Sequence, residues 1–382
     1  MPTAISILQE PQQFQPAYNS NAWVVTSTNN AQPSFKYIAK ININGNIIVE
    51  KTAPHPVYGS AYFNPARMLE SIVKYDVTND AYGINTDGYS IQKYSINFYE
   101  EWEIGGVIVE NPAYAKGAEK YIYNGIIDYL NYAEYDENLY LIDGTKANKI
   151  LNHYLHREVR MQDNGWLYYM INDVKNLEFI TIQAYDELGG TMINNVVLQN
   201  PFQDNTNTSH HHIRFDACPN GLNQIDVGFI YSGSQPIIPS NCKYYEIDLD
   251  GRSLLTFSIV EDNCKYQTFR LHYQNNMGAF ESFNFMLASK HTETIKREKY
   301  KGIVGGLIGA SSYGYSVSDR STTNYYTIIK DTYKVRTNWL TEEYKDVLEQ
   351  LVSSPVVYWE NDDYQMIPID ITNTTYEIGR AH

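Results

Sequence analysis

The chain has 382 residues, enough for two or three domains that each bury a core without disulfide or metal staples. Its net charge of −15 argues against nucleic acid as a main partner, because phosphate recognition needs a basic face. Three cysteines (Cys218, Cys242 and Cys264), none in a CxxC pair, exclude a disulfide framework and a structural zinc site and fit synthesis in a reducing cytoplasm.

Residues 1–104 read as short strands separated by turns. Trp23-Val24-Val25-Thr26 is a β-forming run, and Phe35 to Ile43 alternates apolar with polar residues at the period of a half-buried strand. Asn44-Gly45 is a strong hairpin signal, with Ile47-Ile48-Val49 as the return strand. Asn64 to Glu70 reads as a short helix with Asn64 as its cap and Pro65 at its first position. Tyr94 to Tyr99 alternates again. The pattern predicts a sandwich of immunoglobulin-like size.

Gly105-Gly106 breaks that pattern and opens a middle β-rich region, 105–240. Gly125 to Leu130 reads as the start of a short helix. Asn164-Gly165 predicts a hairpin joining Arg157–Gln162 to Trp166–Met170, and Phe179–Tyr185 is a strand closed by Gly189-Gly190. Asp204 to His212 reads as a polar loop. The third region, 241–382, holds the strands Tyr244–Leu249 and Tyr266–Tyr273. It also holds a helix over 342–353, capped by Thr341, with Glu342 and Glu343 at its positive end and Tyr344, Val347, Leu348 and Leu351 on one face. The fold class is therefore mainly β: tandem immunoglobulin-like β-sandwich domains with one amphipathic helix near the C-terminus.

Several patterns resemble chemical sites and fall short of them. Ser209-His210-His211-His212 puts histidines on opposite faces of an extended chain and has no nearby acidic or cysteine partner at ligand spacing. Lys301 to Ser312 is rich in glycine but lacks the Gly-Lys-Ser/Thr end of a phosphate loop. Glu100-Glu101-Trp102-Glu103 offers carboxylates for a glycan-degrading enzyme, but such pairs come from separate strand ends, so the cluster reads as a charged edge that protects a strand. Asp248-Leu249-Asp250-Gly251 begins like a calcium loop and lacks the later ligands. Lys290 to Lys301, with His291, Lys296, Arg297 and Lys299, reads as a solvated strand end. No catalytic residue, cofactor or metal is expected, and no signal sequence or membrane-spanning run is seen.

The composition points to contact. Thirty-five tyrosines run along the chain, and tyrosine joins a large apolar ring to a polar tip, which suits strands and interfaces. Tyr37, Tyr94 and Tyr273 lie in alternating strands and are expected to be half-buried there. Tyr58, Tyr62, Tyr114, Tyr313 and Tyr315 lie in turn-rich sequence and are the expected contact anchors. Ile303, Val304, Leu307 and Ile308 would form an exposed apolar tip that docks on a neighbouring subunit.

A family resemblance rests on segments spread through the chain: Gln15 to Asn19 with Gln32 to Ile38; Tyr123 to Leu130; Phe269 to Tyr273 with Gly278 to Phe285; Asn338 to Glu343, Ser354 to Tyr358 and Ile367 to Ile369. In their order and spacing these resemble virion structural proteins of phages of Bacteroidota, including crAss-like phages. The resemblance implies a multimeric, β-rich tail or collar protein. Its partners would be further copies and other virion proteins, and its location the virion after synthesis in the bacterial host cytoplasm. Family members continue for a strand or two past the position of Tyr376-Glu377-Ile378, so it also implies a last strand that is missing or supplied by another chain. The alternative is a glycan-binding spike or fibre-base protein that touches host-surface glycan.

Overall fold

The computed structural model describes residues 4–75, 82–86, 88–142, 149–153, 156–171, 177–202, 212–249, 251, 254–261, 265–337, 340, 342 and 344–372. It is mainly β. The chain divides into two compact units, one of Met1–Asp262, Arg270–Phe283 and Thr341–His382, the other of Asn263–Phe269 and Asn284–Leu340.

The larger unit starts with two sheets that share one core. The first pairs Ile5–Gln9, Trp23–Ser27 and Ala61–Phe63. The second runs in the order Phe14–Pro16, Lys120–Tyr123, Ile91–Ile104, Lys36–Ile43, Asn46–Thr52, with Val107–Glu110 and Ala115–Lys116 also on the long Ile91–Ile104 strand. Alternation decides the inner face: Tyr37, Ala39 and Ile41 from one strand and Tyr94, Ile96 and Phe98 from its neighbour pack with Trp23, Val25 and Phe63. The Asn44-Gly45 turn forms as expected, both residues having positive φ, which a two-residue hairpin of this hand requires. Gly105-Gly106, the pair read as a break, is likewise a hairpin turn, joining Ile104 to Val107.

A six-stranded sheet follows, in the order His156–Val159, Leu254–Ile259, Tyr244–Asp248, Phe179–Tyr185, Met192–Gln199, Ile230–Ser232. Beside it is a three-stranded sheet of Trp166–Met170, His212–Asp216 and Ile84–Thr86. This small sheet is buried on both faces. Leu167 and Tyr169 enter the core shared with the six-stranded sheet, while Trp166, Tyr168 and Met170 enter another with Phe14, Tyr123 and Phe280. The expected hairpin at Asn164-Gly165 is therefore not made: His156–Val159 pairs with Leu254–Ile259, and Trp166–Met170 pairs with His212–Asp216 in a different sheet. Asp163 turns the chain between them, its carboxylate accepting from the Arg160 backbone N–H at 2.9 Å and side chain at 2.9 Å. His212, read as part of a polar loop, is a buried residue of the small sheet, hydrogen-bonded to the Ser90 hydroxyl.

The last sheet of this unit runs Phe280–Phe285, Phe269–Gln274, Val357–Glu360, Met366–Ile369. The C-terminal helix spans Tyr344–Ser353 and buries Val347 and Leu351. The two early helices are shifted from their expected places. One is Ala66–Leu69, where the Asn64 side chain accepts from Ala66 N at 3.3 Å; the other is Tyr129–Ala133, capped by Asp128. His210, His211, Asp250, Cys264, Asn338, Trp339, Thr341, Glu343 and Tyr376–Ile378 lie outside the described residues. Tyr37, Tyr94 and Tyr273, expected to be half-buried, are fully buried; Tyr37 and Tyr94 point into the core shared by the first two sheets.

The smaller unit is dominated by a long antiparallel ribbon, Lys290–Lys301 paired with Thr322–Lys334, and ends in a second small hairpin, Gly306–Ile308 with Ser312–Gly314. At a rise of about 3.3 Å per residue the ribbon is roughly 40 Å long. What read as a solvated strand end is a full strand whose residues are exposed on both faces. No buried cluster of described residues lies along it. A two-stranded ribbon without a core is marginal in water.

Candidate interaction surface

The arm tip gathers most of the predicted contact residues. Ile303 is 92% exposed, Leu307 79%, Ile308 63%, Tyr313 64% and Tyr315 74%. Val317, which the sequence reading did not single out, is fully exposed beside them. Val304 is only half-buried, and its carbonyl accepts from the Tyr313 hydroxyl, which braces the tip. The remaining three predicted residues lie elsewhere, in the larger unit. Tyr58 is exposed and stacks on His55 at 4.8 Å, Tyr62 is exposed on the Ala61–Phe63 strand, and Tyr114 stacks on Tyr99 at 5.0 Å.

Both faces of the arm carry mixed charge. Lys290, Lys296, Lys330 and Lys334 share one face with Ile328 and with Glu298, which pairs with Lys296 at 2.7 Å, whereas Glu293 and Asp331 stand opposite each other on the other face beside Ile295, Ile329 and Arg297. Lys290 faces Lys334 and Glu293 faces Asp331 directly across the ribbon, and like charges so placed weaken a strand pair. His291 eases the second by reaching Asp331 at 2.7 Å while stacking on Tyr333.

The larger unit carries an apolar groove of about 750 Å³, lined by Tyr18, Val73, Tyr75, Ile126, Pro355 and Val356 among others. Its walls come from distant parts of the chain. Tyr18 N donates to Gly125 O at 3.2 Å and Ile126 N to Asn276 O at 2.8 Å. The Asn19 side chain closes a two-way bond with Ile127, accepting from its N–H at 2.8 Å and donating to its carbonyl at 2.7 Å. Segments around residues 15–19, 123–130 and 354–358 thus meet in one place. Two further apolar strips lie at sheet edges or turns: Ile47 and Val49, and Val107 to Val109.

The acidic cluster has another role than the one expected. Glu100 is not on an edge: its strand pairs with Lys36–Ile43 on one side and Val107–Glu110 on the other. Its buried carboxylate accepts from Ser27 at 2.6 Å, Asn29 at 2.9 Å and Asn111 at 2.8 Å, which leaves it saturated inside the fold. Glu101 pairs with Lys51 at 2.6 Å. Asp248 accepts from Gly251 N at 2.7 Å and closes a tight turn. Among the described residues no group of three or more His, Cys, Asp or Glu is arranged to hold a metal ion, and no helix is long and apolar enough to cross a membrane.

A buried ionic network locks the last sheet to the middle of the chain. Arg270 contacts Asp163 at 3.1 Å and Glu360 at 3.3 Å, and donates to Asn164 O at 2.8 Å and Ser282 at 2.8 Å. Nearby, Arg157 pairs with Glu281 at 3.0 Å. Burial pushes the Cys218 thiol up to about 11, against the pull of Arg270, so it stays neutral. His272 Nε2 lies 2.7 Å from Glu360. Burial lowers the pKa of His272 below its ordinary value, and Glu360 restores only part. For Glu360, burial raises the pKa, but the His272 hydrogen bond and the Arg270 charge more than offset it and hold the carboxyl below its ordinary value. A neutral ring that donates from Nε2 to a carboxylate satisfies both directions.

Both shifts act with the same sign. Each group contributes stability that is full above its unfolded pKa and is lost as pH falls through its lowered folded value. Urea midpoints are therefore expected to be flat from about pH 8 to about 6.5, the unfolded histidine value, and to fall below it. His272→Gln removes the part of the slope nearest pH 6, and an unchanged slope would count against this linkage.

No protein-family model matches the chain, and no curated protein matches it.

Proposed function

We propose that this chain is a structural component of a bacteriophage virion, of the collar or tail, which assembles in several copies and bridges other virion proteins. The observation that carries the reading is the arm: some 40 Å of ribbon with no core of its own, ending in an exposed apolar tip. Such an element gains stability only when another surface covers it. The groove supports the same reading, since several of the segments on which the virion-family resemblance rests converge there. Successive pairs of sheets around shared cores fit tandem sandwich-like modules. The chain would be made in the host cytoplasm and end in the particle.

The test is mass spectrometry of purified phage particles together with a phage in which residues 302–321 are replaced by Asn-Gly. The chain is expected in particles. The shortened chain should unfold within about 0.5 kcal/mol of the parent, because the removed residues bury no core, yet fail to enter particles. Absence of the parent chain from particles would overturn the reading.

A further inference from the structure

Charge is divided very unevenly between the two units. The smaller unit holds ten lysines and arginines against four carboxylates, a net +6; the rest of the chain holds nineteen against forty, a net −21. A unit of one sign on a chain of strongly opposite sign favours contact between copies, through long-range attraction that speeds encounter and fixes orientation.

The match extends to local detail. The apolar tip, with Ile303, Leu307, Ile308, Tyr315 and Val317, is flanked by Arg297, Lys299, Lys301 and Arg320. Against these four cations the same stretch has Glu298 and Asp319. The groove has the complementary layout. Its lining is mostly apolar, and carboxylates adjoin it in the chain: Asp128, two residues beyond Ile126 and also the cap of the Tyr129–Ala133 helix, and Asp346 and Glu349, with Lys345 beside them, on the helix that supplies Gln350 and Ser353 to its wall. Lys74 is the cation among its lining residues. An apolar centre with a charged rim is the usual anatomy of a specific interface.

We infer that the arm tip of one copy docks in the Tyr18–Ile126–Val356 groove of a second copy, with the basic collar of the arm against the acidic rim of the groove. The contact joins two different patches, and it closes either as a two-fold pair that exchanges arms reciprocally or, where the exchange is not mutual, as a ring or a row. It deepens the virion reading, on which its biological setting rests, by naming both surfaces of the self-contact.

The test mixes two full-length variants with different tags, Leu307→Cys and Ile126→Cys, each also carrying Cys264→Ser, under mild oxidation. Cys218 and Cys242 are buried and stay reduced. Disulfide-linked pairs of mixed tag are expected at about ten times the yield of same-tag pairs. Lys299→Glu with Lys301→Glu should cut that yield about tenfold, and Asp346→Lys with Glu349→Lys on the partner should restore it. Circular dichroism melts of each variant confirm the fold. No mixed pair, or a link formed only within a chain that carries both cysteines, overturns the docking. If the chain is nonetheless found in particles, the virion reading stands without it. If mixed pairs form and the chain is absent from particles, the docking stands and the virion reading falls.

Discussion

Arg270→Met is expected to destabilise the protein by about 3–5 kcal/mol, read as a lowered urea midpoint with an unchanged slope. The guanidinium is almost entirely buried and faces the equally buried carboxylates of Asp163 and Glu360. Methionine fills the volume but leaves two anions out of water with reduced compensation, and removing one partner of a buried ionic group costs far more than the group contributes as a whole. Two further variants separate charge from packing. Glu360→Gln in the Arg270→Met background should recover part of the loss, because it removes one stranded charge, so the double-mutant cycle should show a coupling of at least about 1 kcal/mol. Arg270→Lys should recover little, since one ammonium cannot span Asp163, Glu360, the Asn164 carbonyl and Ser282 at once. Additive losses would mean that the network acts only through its shape.

The same network shows why some of the fold was legible in sequence and some was not. Asn44-Gly45 was readable because a two-residue hairpin is local: the turn and the strands that it joins are neighbours in the chain. Asn164-Gly165 carries the same signal and makes no hairpin, because tertiary crowding chose the glycine. A Cβ on Gly165 would lie 2.6 Å from Cys218 Sγ and 3.0 Å from Arg270 and Ser282. The carboxylate run at Glu100 misled for a related reason. Its hydrogen-bond partners Ser27 and Asn29 are some seventy residues away, so a saturated buried carboxylate looks the same in sequence as an exposed one.

The contact surface divides along the same line. The tip was legible because Ile303, Leu307 and Ile308 sit among glycines with no period that would bury them. The length of the arm was hidden, because a strand exposed on both faces has no alternation to reveal it. The groove was hidden altogether, since its walls come from residues 18 to 356 and no local pattern announces them. The tyrosines follow suit. Tyr58, Tyr62, Tyr313 and Tyr315, which lie in turn-rich sequence, are exposed, whereas Tyr37, Tyr94 and Tyr273 are fully buried.

Gly278→Ala is expected to cost about 2–5 kcal/mol and to abolish docking at the groove along with it. Gly278 has φ +82°, and an added Cβ would overlap the carbonyl oxygen of Asn124. The strain of that conformation and the collision with backbone add, because neither the 275–279 turn nor the 124–126 segment can yield easily. Asn275 pins the turn, accepting from Met277 N at 3.0 Å and Ala279 N at 2.9 Å and donating to Leu151 O at 2.9 Å. The facing segment is held by the Ile126 N to Asn276 O bond at 2.8 Å. Asn124, Gly125, Asn275 and Asn276 all line the groove, so moving these backbones apart reshapes its wall. Asp346→Lys with Glu349→Lys provides the contrast. Asp346 and Glu349 are exposed, and Asp346 sits in the first turn of its helix, so the two changes should lower the unfolding free energy by no more than about 1 kcal/mol, while the mixed-tag cross-link to an unaltered arm falls about tenfold. Two variants that both lose docking, only one of them with a large loss of stability, would separate the shape of the groove from the charge at its rim. If Gly278→Ala kept full cross-linking, the wall at Asn124 would not be part of the docking surface.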